Sequence, residues 1–192
     1  MLHKAKQIIG LPIKVRDEED IEGTVEKIII DPKQRRLHAL LFKRARLLKA
    51  AKFVLFDAVI SIDDQAAQIG TAAQVMNLKE DDYTQKIYQE GVVVLGQKVV
   101  TEANRYLGDV INYHFDLNTG QITDLIVLIK GLPGRGDNEE RQISIDEVLA
   151  FYKEALIVKD PEARSRLKIL NTAKEKILLE TSAQEVQQRK LN

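Results

Sequence analysis

The sequence predicts an all-β protein with a minor helical part, in which two tandem small β-barrels are followed by a C-terminal α-helix. Three observations lead to this fold class. The chain repeats its own pattern at a spacing of about 85 residues. Short apolar runs are separated by turns rich in glycine, proline and aspartate. One stripe of apolar residues at helical spacing lies near the C-terminus.

Glycine and aspartate landmarks, each followed by an apolar run, carry the repeat. The first-copy landmarks are Gly10, Gly23 and Asp31, and their second-copy counterparts are Gly96, Gly108 and Asp116. The apolar run 37–42 returns as 122–129, and the segment 53–59 returns as 142–148. A repeat this long indicates two copies of a small domain and not a solenoid of short units. The predicted organisation is a barrel domain over 1–70, a partly helical linker over 71–91, a second barrel domain over 92–160, and a C-terminal helix with a frayed tail over 161–192.

Within the first copy, the pattern predicts strands over 8–15, 21–30, 37–42 and 52–56, a single turn over 58–62, and a last short strand over 66–69. Pro12 lacks an amide hydrogen and therefore belongs at a strand start or a sheet edge. Asp31 and Pro32 predict a turn, because the residue before proline is pushed out of the helical region.

The second copy predicts strands over 92–100, 107–117, 121–130, 141–145 and 155–159, with a helical turn over 146–151. Asn118-Thr119-Gly120 is a hairpin turn in which glycine supplies the positive φ. An exposed glycine-rich loop is predicted over 131–138; it lacks the spacing of a phosphate-binding loop.

Two helical segments are predicted outside the repeat. The linker contains a helical turn or two around 81–89. The C-terminal helix begins at Asp160, a good N-cap, followed by Pro161 at the first helical position. Its apolar stripe consists of Leu167, Leu170, Ala173 and Ile177. The stripe has three interpretations: it packs on its own barrel, pairs with a second protomer to form a homo-oligomer, or lies on a membrane.

Composition narrows the class of protein. The formal net charge is zero, which argues against a dedicated nucleic-acid binder. The chain has no cysteine, so disulfides, thiolate zinc sites and cysteine nucleophiles are excluded together. No run approaches the roughly 18–20 apolar residues of a membrane-spanning helix. The N-terminal residues lack the features of a signal peptide, and we therefore expect a cytoplasmic protein without a transmembrane segment.

A local excess of positive charge gives the most specific candidate for a binding surface. No acidic residue occurs between Pro32 and Phe56. The candidate partner-binding residues, called the basic patch below, are Lys43, Arg44, Arg46, Lys49 and Lys52. They are interpreted either as a solvated loop or as a surface for an acidic or phosphate-bearing partner, such as RNA, the ribosome, anionic lipid or an acidic protein. No aromatic residue lies among them, which disfavours stacking on single-stranded bases.

The remaining polar residues do not form a recognisable catalytic, cofactor or metal signature. His3, His38 and His114 are far apart in sequence, and we expect them to have structural or surface roles. The acidic segment 17–20 lacks the alternating ligands of a calcium loop and is expected to be a solvated turn. The sequence therefore predicts no catalytic residue, no cofactor and no metal ion.

The order of landmarks resembles that of the PRC-barrel family, named after the photosynthetic reaction centre. The resemblance covers about residues 8–70 and 92–159. It rests on the glycine before the first strand, the glycine before a valine (Gly23 or Gly108), the turn aspartate and the apolar strand that follows. It implies two tandem barrels of this type. In that family the fold occurs in the cytoplasmic part of the reaction-centre H subunit and in the C-terminal half of a ribosome-maturation factor.

These observations favour a non-catalytic adaptor that mediates protein or ribonucleoprotein assembly and has a protein partner. The resemblance gives an alternative, a peripheral factor of the photosynthetic electron-transfer apparatus similar to the reaction-centre H subunit. An enzyme with a site between the two barrels is the third hypothesis. A concave pocket lined by titratable groups from both copies would favour that enzyme.

Overall fold

Two curled β-sheets make up most of the described chain, which confirms the prediction of an all-β protein. The computed structural model describes residues 2–16, 18, 21–43, 51–129 and 138–160. The predicted C-terminal helix and its stripe, the predicted loop up to residue 137, and three members of the basic patch (Arg44, Arg46 and Lys49) lie outside the described residues.

The secondary structure consists of short strands, one described α-helix and several 3₁₀ turns. In chain order the strands are β1 (Leu2–Lys4), β2 (Pro12–Val15), β3 (Ile21–Asp31), β4 (Arg36–Lys43), β5 (Lys52–Leu55), β6 (Val59–Ile62), β7 (Ala67–Ile69), β8 (Met76–Asn77), β9 (Lys98–Thr101), β10 (Tyr106–Asp116), β11 (Ile122–Ile129), β12 (Glu139–Ser144), β13 (Val148–Phe151) and β14 (Leu156–Val158). Helix α1 spans Asp82–Glu90, and the 3₁₀ turns are Ala5–Gln7, Phe56–Ala58, Ala72–Gln74, Leu78–Glu80 and Ile145–Glu147.

The two sheets have the same strand order, which is the structural counterpart of the sequence repeat. The first sheet runs β6-β7-β2-β3-β4-β5 and ends in β8. The second runs β13-β14-β9-β10-β11-β12, and β1 pairs with β10. Each sheet contains one parallel pair, β2 with β7 and β9 with β14. The long strands β3 and β10 also carry bulges at matching positions, between Val25 and Lys27 and between Val110 and Asn112.

The repeated glycines before valine allow a close approach of neighbouring strands. A Cβ atom added at Gly23 would lie 2.6 Å from the backbone oxygen of Lys43 in β4. At Gly108 it would lie still closer to the backbone oxygen of Leu128 in β11. Atoms cannot occupy such positions without a shift of the backbone, so both glycines serve the sheet geometry.

The linker forms α1, as predicted, and this helix covers the outer face of the first sheet. The side chain of Asp81 caps its N-terminus by accepting a hydrogen bond from the Thr84 amide at 2.7 Å. Gly91 ends it in the left-handed conformation, with φ of 68°. Ile87 is 4% exposed and packs in a cluster with Ile29, Ala39, Leu41 and Phe53 of the sheet. Within the described part of the chain, no helix combines the length and apolar composition that crossing a membrane requires.

Several element boundaries differ from the predicted ones for identifiable reasons. The first strand of each half begins later than expected, at Pro12 and Lys98, because Gly10 and Gly96 adopt φ of 90° and 77° and interrupt the extended run. The single turn predicted over 58–62 and the helical turn predicted over 146–151 are instead mostly strand: the 3₁₀ turns Phe56–Ala58 and Ile145–Glu147 lead into β6 and β13. Strand β1 was not predicted, since its three residues are too few to show a periodicity.

The two sheets share one hydrophobic core. A single cluster of buried residues includes members of both sheets. Phe56 of the first half packs edge-to-face on Phe115 of the second, with ring centroids 5.6 Å apart. Backbone hydrogen bonds also join the halves: the Leu37 amide donates to the Gly120 oxygen at 2.9 Å, and the Ile122 amide donates to the Arg35 oxygen at 3.0 Å. The start of β4 is therefore bonded directly to the β10–β11 hairpin.

Candidate functional site

The described part of the basic patch lies at one end of the β4–β5 pair. Lys43 ends β4, Lys52 begins β5, and in the strand register Lys52 lies opposite Phe42. Lys43 is exposed, and its Nζ forms an ion pair with Glu26 Oε1 at 2.8 Å. The other three members lie outside the described residues. The structure therefore locates only two members, and the basic patch as a whole stays a prediction.

A cleft lies between the two sheets, which is where a binding or catalytic site shared by the two copies is expected. We call it the inter-sheet cleft; its volume is about 200 Å³. The first half contributes side chains from the turn before β2 and from β3, the segment before β9 contributes three residues, and β10 contributes a tyrosine. The lining residues are Ile9, Glu26, Lys27, Ile28, Ile30, Val93, Val94, Leu95 and Tyr113.

The mouth of the inter-sheet cleft is apolar and open to solvent. Ile9 is 39% exposed and Val93 is 36% exposed, which makes them two of the few large apolar side chains on the described surface. The walls behind them are buried, since Ile30 is 2% exposed and Val94 is 1% exposed. The cleft therefore offers apolar surface that no described residue covers fully.

The charged side chains of the inter-sheet cleft have partners, and its tyrosine is buried. Glu26 is bound by Lys43, and the Lys27 ammonium lies over the Tyr88 ring, 5.0 Å from its centroid. Burial raises the pKa of Tyr113 far above its ordinary value, so its phenol stays neutral at every physiological pH.

A second polar arrangement crosses the outer face of the second sheet. Residues directly opposite one another on four adjacent strands are Lys4 in β1, His114 in β10, Asp124 in β11 and Ser144 in β12. We call them the polar row. His114 Nδ1 and Asp124 Oδ1 are 2.6 Å apart, and the Thr123 hydroxyl donates to Asp124 Oδ2 at 2.8 Å. Asp124 is buried, and both of its oxygens have partners that fix the carboxylate.

A third polar cluster attaches α1 to the first sheet. The Tyr83 hydroxyl donates to Asp31 Oδ2 at 2.6 Å, and His38 Nε2 lies 2.8 Å from the Thr84 hydroxyl. Burial alone would raise the pKa of Asp31, but hydrogen bonds from Tyr83 and from two turn amides outweigh it and hold this pKa below its ordinary value. Burial lowers the pKa of His38 against the opposing charge of Asp31 and Asp81. These contacts attach the helix to the first sheet.

The three histidines therefore lie in different surroundings. His3 stacks on Phe115 with ring centroids 5.8 Å apart, while His38 and His114 lie in separate clusters on different sheets. Within the described ranges, no three side chains of His, Cys, Asp or Glu come together as metal ligands.

Sequence reasoning did not find the inter-sheet cleft or the polar row. The cleft combines three distant segments and has no local signature. Asn118-Thr119-Gly120 fixes the β10–β11 hairpin, but regular pairing outward from that turn places His114 opposite Thr123. The bulge between His114 and Phe115 moves the partner to Asp124, and the sequence gives no signal of that bulge.

Comparison with known proteins adds no family assignment. No family model matches the chain, and no curated protein matches it. The resemblance to the PRC-barrel family therefore rests on the repeated glycine, valine and aspartate landmarks of the sequence.

Proposed function

We propose that the protein is a non-catalytic adaptor of PRC-barrel type, in which tandem barrels over 1–70 and 92–160 mediate protein or ribonucleoprotein assembly. The inter-sheet cleft is the proposed docking point for a protein partner. The observation that carries the proposal is the chemistry of this cleft, which is apolar, open and bounded by charged groups that already have partners. The shared strand order of the two sheets supports the proposal of two tandem barrels.

The size of the inter-sheet cleft supports the docking of a side chain. Small-molecule and cofactor sites usually enclose about 300–1,000 Å³. An apolar cavity of about 150 Å³ accommodates a benzene-sized group. The observed volume of about 200 Å³ lies between these values. It fits one large apolar side chain of a partner, the kind of anchor that dominates many protein interfaces.

The surroundings of the inter-sheet cleft indicate the charge of the partner. Glu26 lines the cleft and holds Lys43, the first member of the basic patch. A partner with acidic groups next to its apolar anchor can take over Lys43 and bring the rest of the patch into the interface. The proposed partner is therefore a protein, free or within a ribonucleoprotein, with an apolar anchor flanked by negative charge. Its binding weakens as salt screens that charge.

Two isoleucines of equal exposure give a matched test. Ile9 at the mouth of the inter-sheet cleft and Ile60 on the edge strand β6 are both 39% exposed. A partner is first identified by affinity capture with the wild-type chain and then purified. Ile9→Glu is expected to weaken binding of the purified partner at least about ten-fold, because a charge replaces apolar surface inside the interface. Ile60→Glu is expected to leave binding unchanged.

Equal affinity of the Ile9→Glu and wild-type chains for the purified partner would contradict docking at the inter-sheet cleft. The basic patch is tested separately by Lys43→Glu with Arg46→Glu, which is expected to remove most of the salt dependence. The identity of the captured partner also separates the hypotheses, since a ribosomal component and a photosynthetic electron-transfer component indicate different assemblies.

A further inference from the structure

The outer faces of the two sheets have different chemistry at equivalent positions. The repeat spacing aligns His114 with Ile29 and Asp124 with Ala39. In the first half these two positions are buried at 3% and 0% exposure and pack under α1. In the second half they hold an imidazole and a carboxylate 2.6 Å apart. Because the same fold is built with apolar residues there in the first half, the fold itself does not require the polar pair.

The hydrogen bonds around Asp124 fix the direction of the His114 ring. One carboxylate oxygen lies against Nδ1 and the other accepts from Thr123, so the carboxylate has a set orientation. The two ring nitrogens of imidazole point in divergent directions, and Nε2 is therefore directed away from β11.

Two further donors lie beside His114 on the same face. Lys4 is directly opposite it on β1, is exposed, and forms no ion pair within the described part of the chain. Asn112 is two residues before His114 on β10, and its Oδ1 accepts from the Lys6 amide at 3.1 Å and the Tyr113 amide at 3.0 Å. Asn112 Nδ2 donates no hydrogen bond to a described residue, so it is available as a donor.

We propose that Lys4, Asn112 and His114, with Asp124 as the positioning residue, form a binding site for a phosphate group. The site combines the ammonium group of Lys4, the side-chain amide of Asn112 and the imidazole of His114. Asp124 sets the orientation of the imidazole ring. Cationic and N–H donors on one side of a bound oxyanion provide short charge-assisted hydrogen bonds. This site is separate from the inter-sheet cleft. It gives the outer face of the second half a binding role, which the equivalent face of the first half does not have because α1 covers it.

The test uses the full chain and inorganic phosphate as the probe. Long-range proton–nitrogen NMR spectra of the histidine rings are recorded during a phosphate titration and during a chloride titration of equal ionic strength. We expect a saturable change at His114 with phosphate and none with chloride. A parallel titration with phosphorylated lipid headgroups in vesicles shows whether the group is bound when membrane-attached. Binding of inorganic phosphate alone, or of both inorganic phosphate and the lipid headgroups, agrees with the proposed site. The comparison shows whether the natural ligand is a soluble or a membrane-attached phosphate.

Variants separate binding from folding. His114→Gln and Lys4→Gln are each expected to weaken phosphate binding at least about ten-fold. Lys79→Gln, an exposed lysine of the linker, is the matched control and is expected to bind as the wild type does. Asp124→Asn is expected to weaken binding and also to change the ring-nitrogen shifts of His114 before any phosphate is added, because the carboxylate contacts Nδ1 directly. If Asp124→Asn does not fold, the phosphate titrations of His114→Gln and Lys4→Gln still test the proposal.

An absence of any saturable shift at His114 in the folded wild-type chain would overturn the proposal. Unchanged phosphate binding by His114→Gln would overturn it as well. Neither result depends on the inter-sheet cleft, so the adaptor proposal and the phosphate site can fail independently.

Discussion

Truncation of Phe115 is expected to destabilise both halves of the protein together. Its ring is fully buried and packs edge-to-face on Phe56 of the other half, 5.6 Å away. Phe115→Ala removes this ring from the shared core, a change that costs about 3–5 kcal/mol in tightly packed proteins. The aromatic pair accounts for about 0.5–1.5 kcal/mol beyond the area that it buries. Against a typical total of about 5–15 kcal/mol, the expected loss is a large part of the free energy of unfolding.

The assay is urea denaturation followed by a reporter in each half. The chain contains no tryptophan, so single reporters can be introduced without background. Tyr88→Trp in α1 reports on the first half, and Tyr106→Trp in β10 reports on the second. Because the core is continuous, Phe115→Ala is expected to shift both transitions to lower urea by the same amount. Tyr152→Ala, at a side chain that is 58% exposed, is expected to shift neither.

If Phe115→Ala shifts the transition reported by Tyr106→Trp but not the transition reported by Tyr88→Trp, this reasoning is refuted. The halves would then unfold as separate domains, and the shared cluster would contribute little to their coupling. The same outcome would remove the rigid framework on which the geometry of the inter-sheet cleft depends.

Three other predictions concern the repeat and the helix attachment. Gly108→Ala is expected to cost about 1–3 kcal/mol, because its Cβ would collide with the Leu128 backbone oxygen, and thermal unfolding measures this loss. Tyr83→Phe is expected to cost about 1 kcal/mol by removing the hydrogen bond to Asp31; no change in the urea midpoint would argue against that contact. Since burial lowers the pKa of His38 below 6.5, its stabilising contribution is complete above pH 6.5 and declines as the pH falls below that value. Stability measured from pH 8 down to pH 5 is expected to fall less in His38→Gln than in the wild type, and parallel profiles would contradict this.

The sequence predicted those parts of the fold that local chemistry determines. Asp31 marks a turn because its side chain accepts hydrogen bonds from the amides of Lys33 and Gln34, a contact that depends on residues close in sequence. Gly23 and Gly108 mark close strand approaches because any other residue would collide with the neighbouring strand. Helix α1 was predicted from its linker position and was found at Asp82–Glu90.

The parts that sequence reasoning missed depend on contacts between distant segments. Strand β1 pairs with β10 more than a hundred residues away, and three residues cannot show a strand period. The inter-sheet cleft brings Ile9 and Val93 together only after both sheets have packed. The polar row depends on the bulge that brings Asp124 opposite His114 and on β1, which brings Lys4 beside His114.

Site-specific photo-crosslinking at the inter-sheet cleft tests the central claim most directly. A photoreactive residue replaces Val93, which is 36% exposed at the mouth of the cleft, or Leu149, which is 41% exposed on the edge strand β13. The identified and purified partner is added, and mass spectrometry locates the crosslinked residue on it. The account predicts a crosslink from position 93 to an apolar residue of the partner, and none from position 149. A crosslink from position 149 alone would place the partner elsewhere and contradict the account.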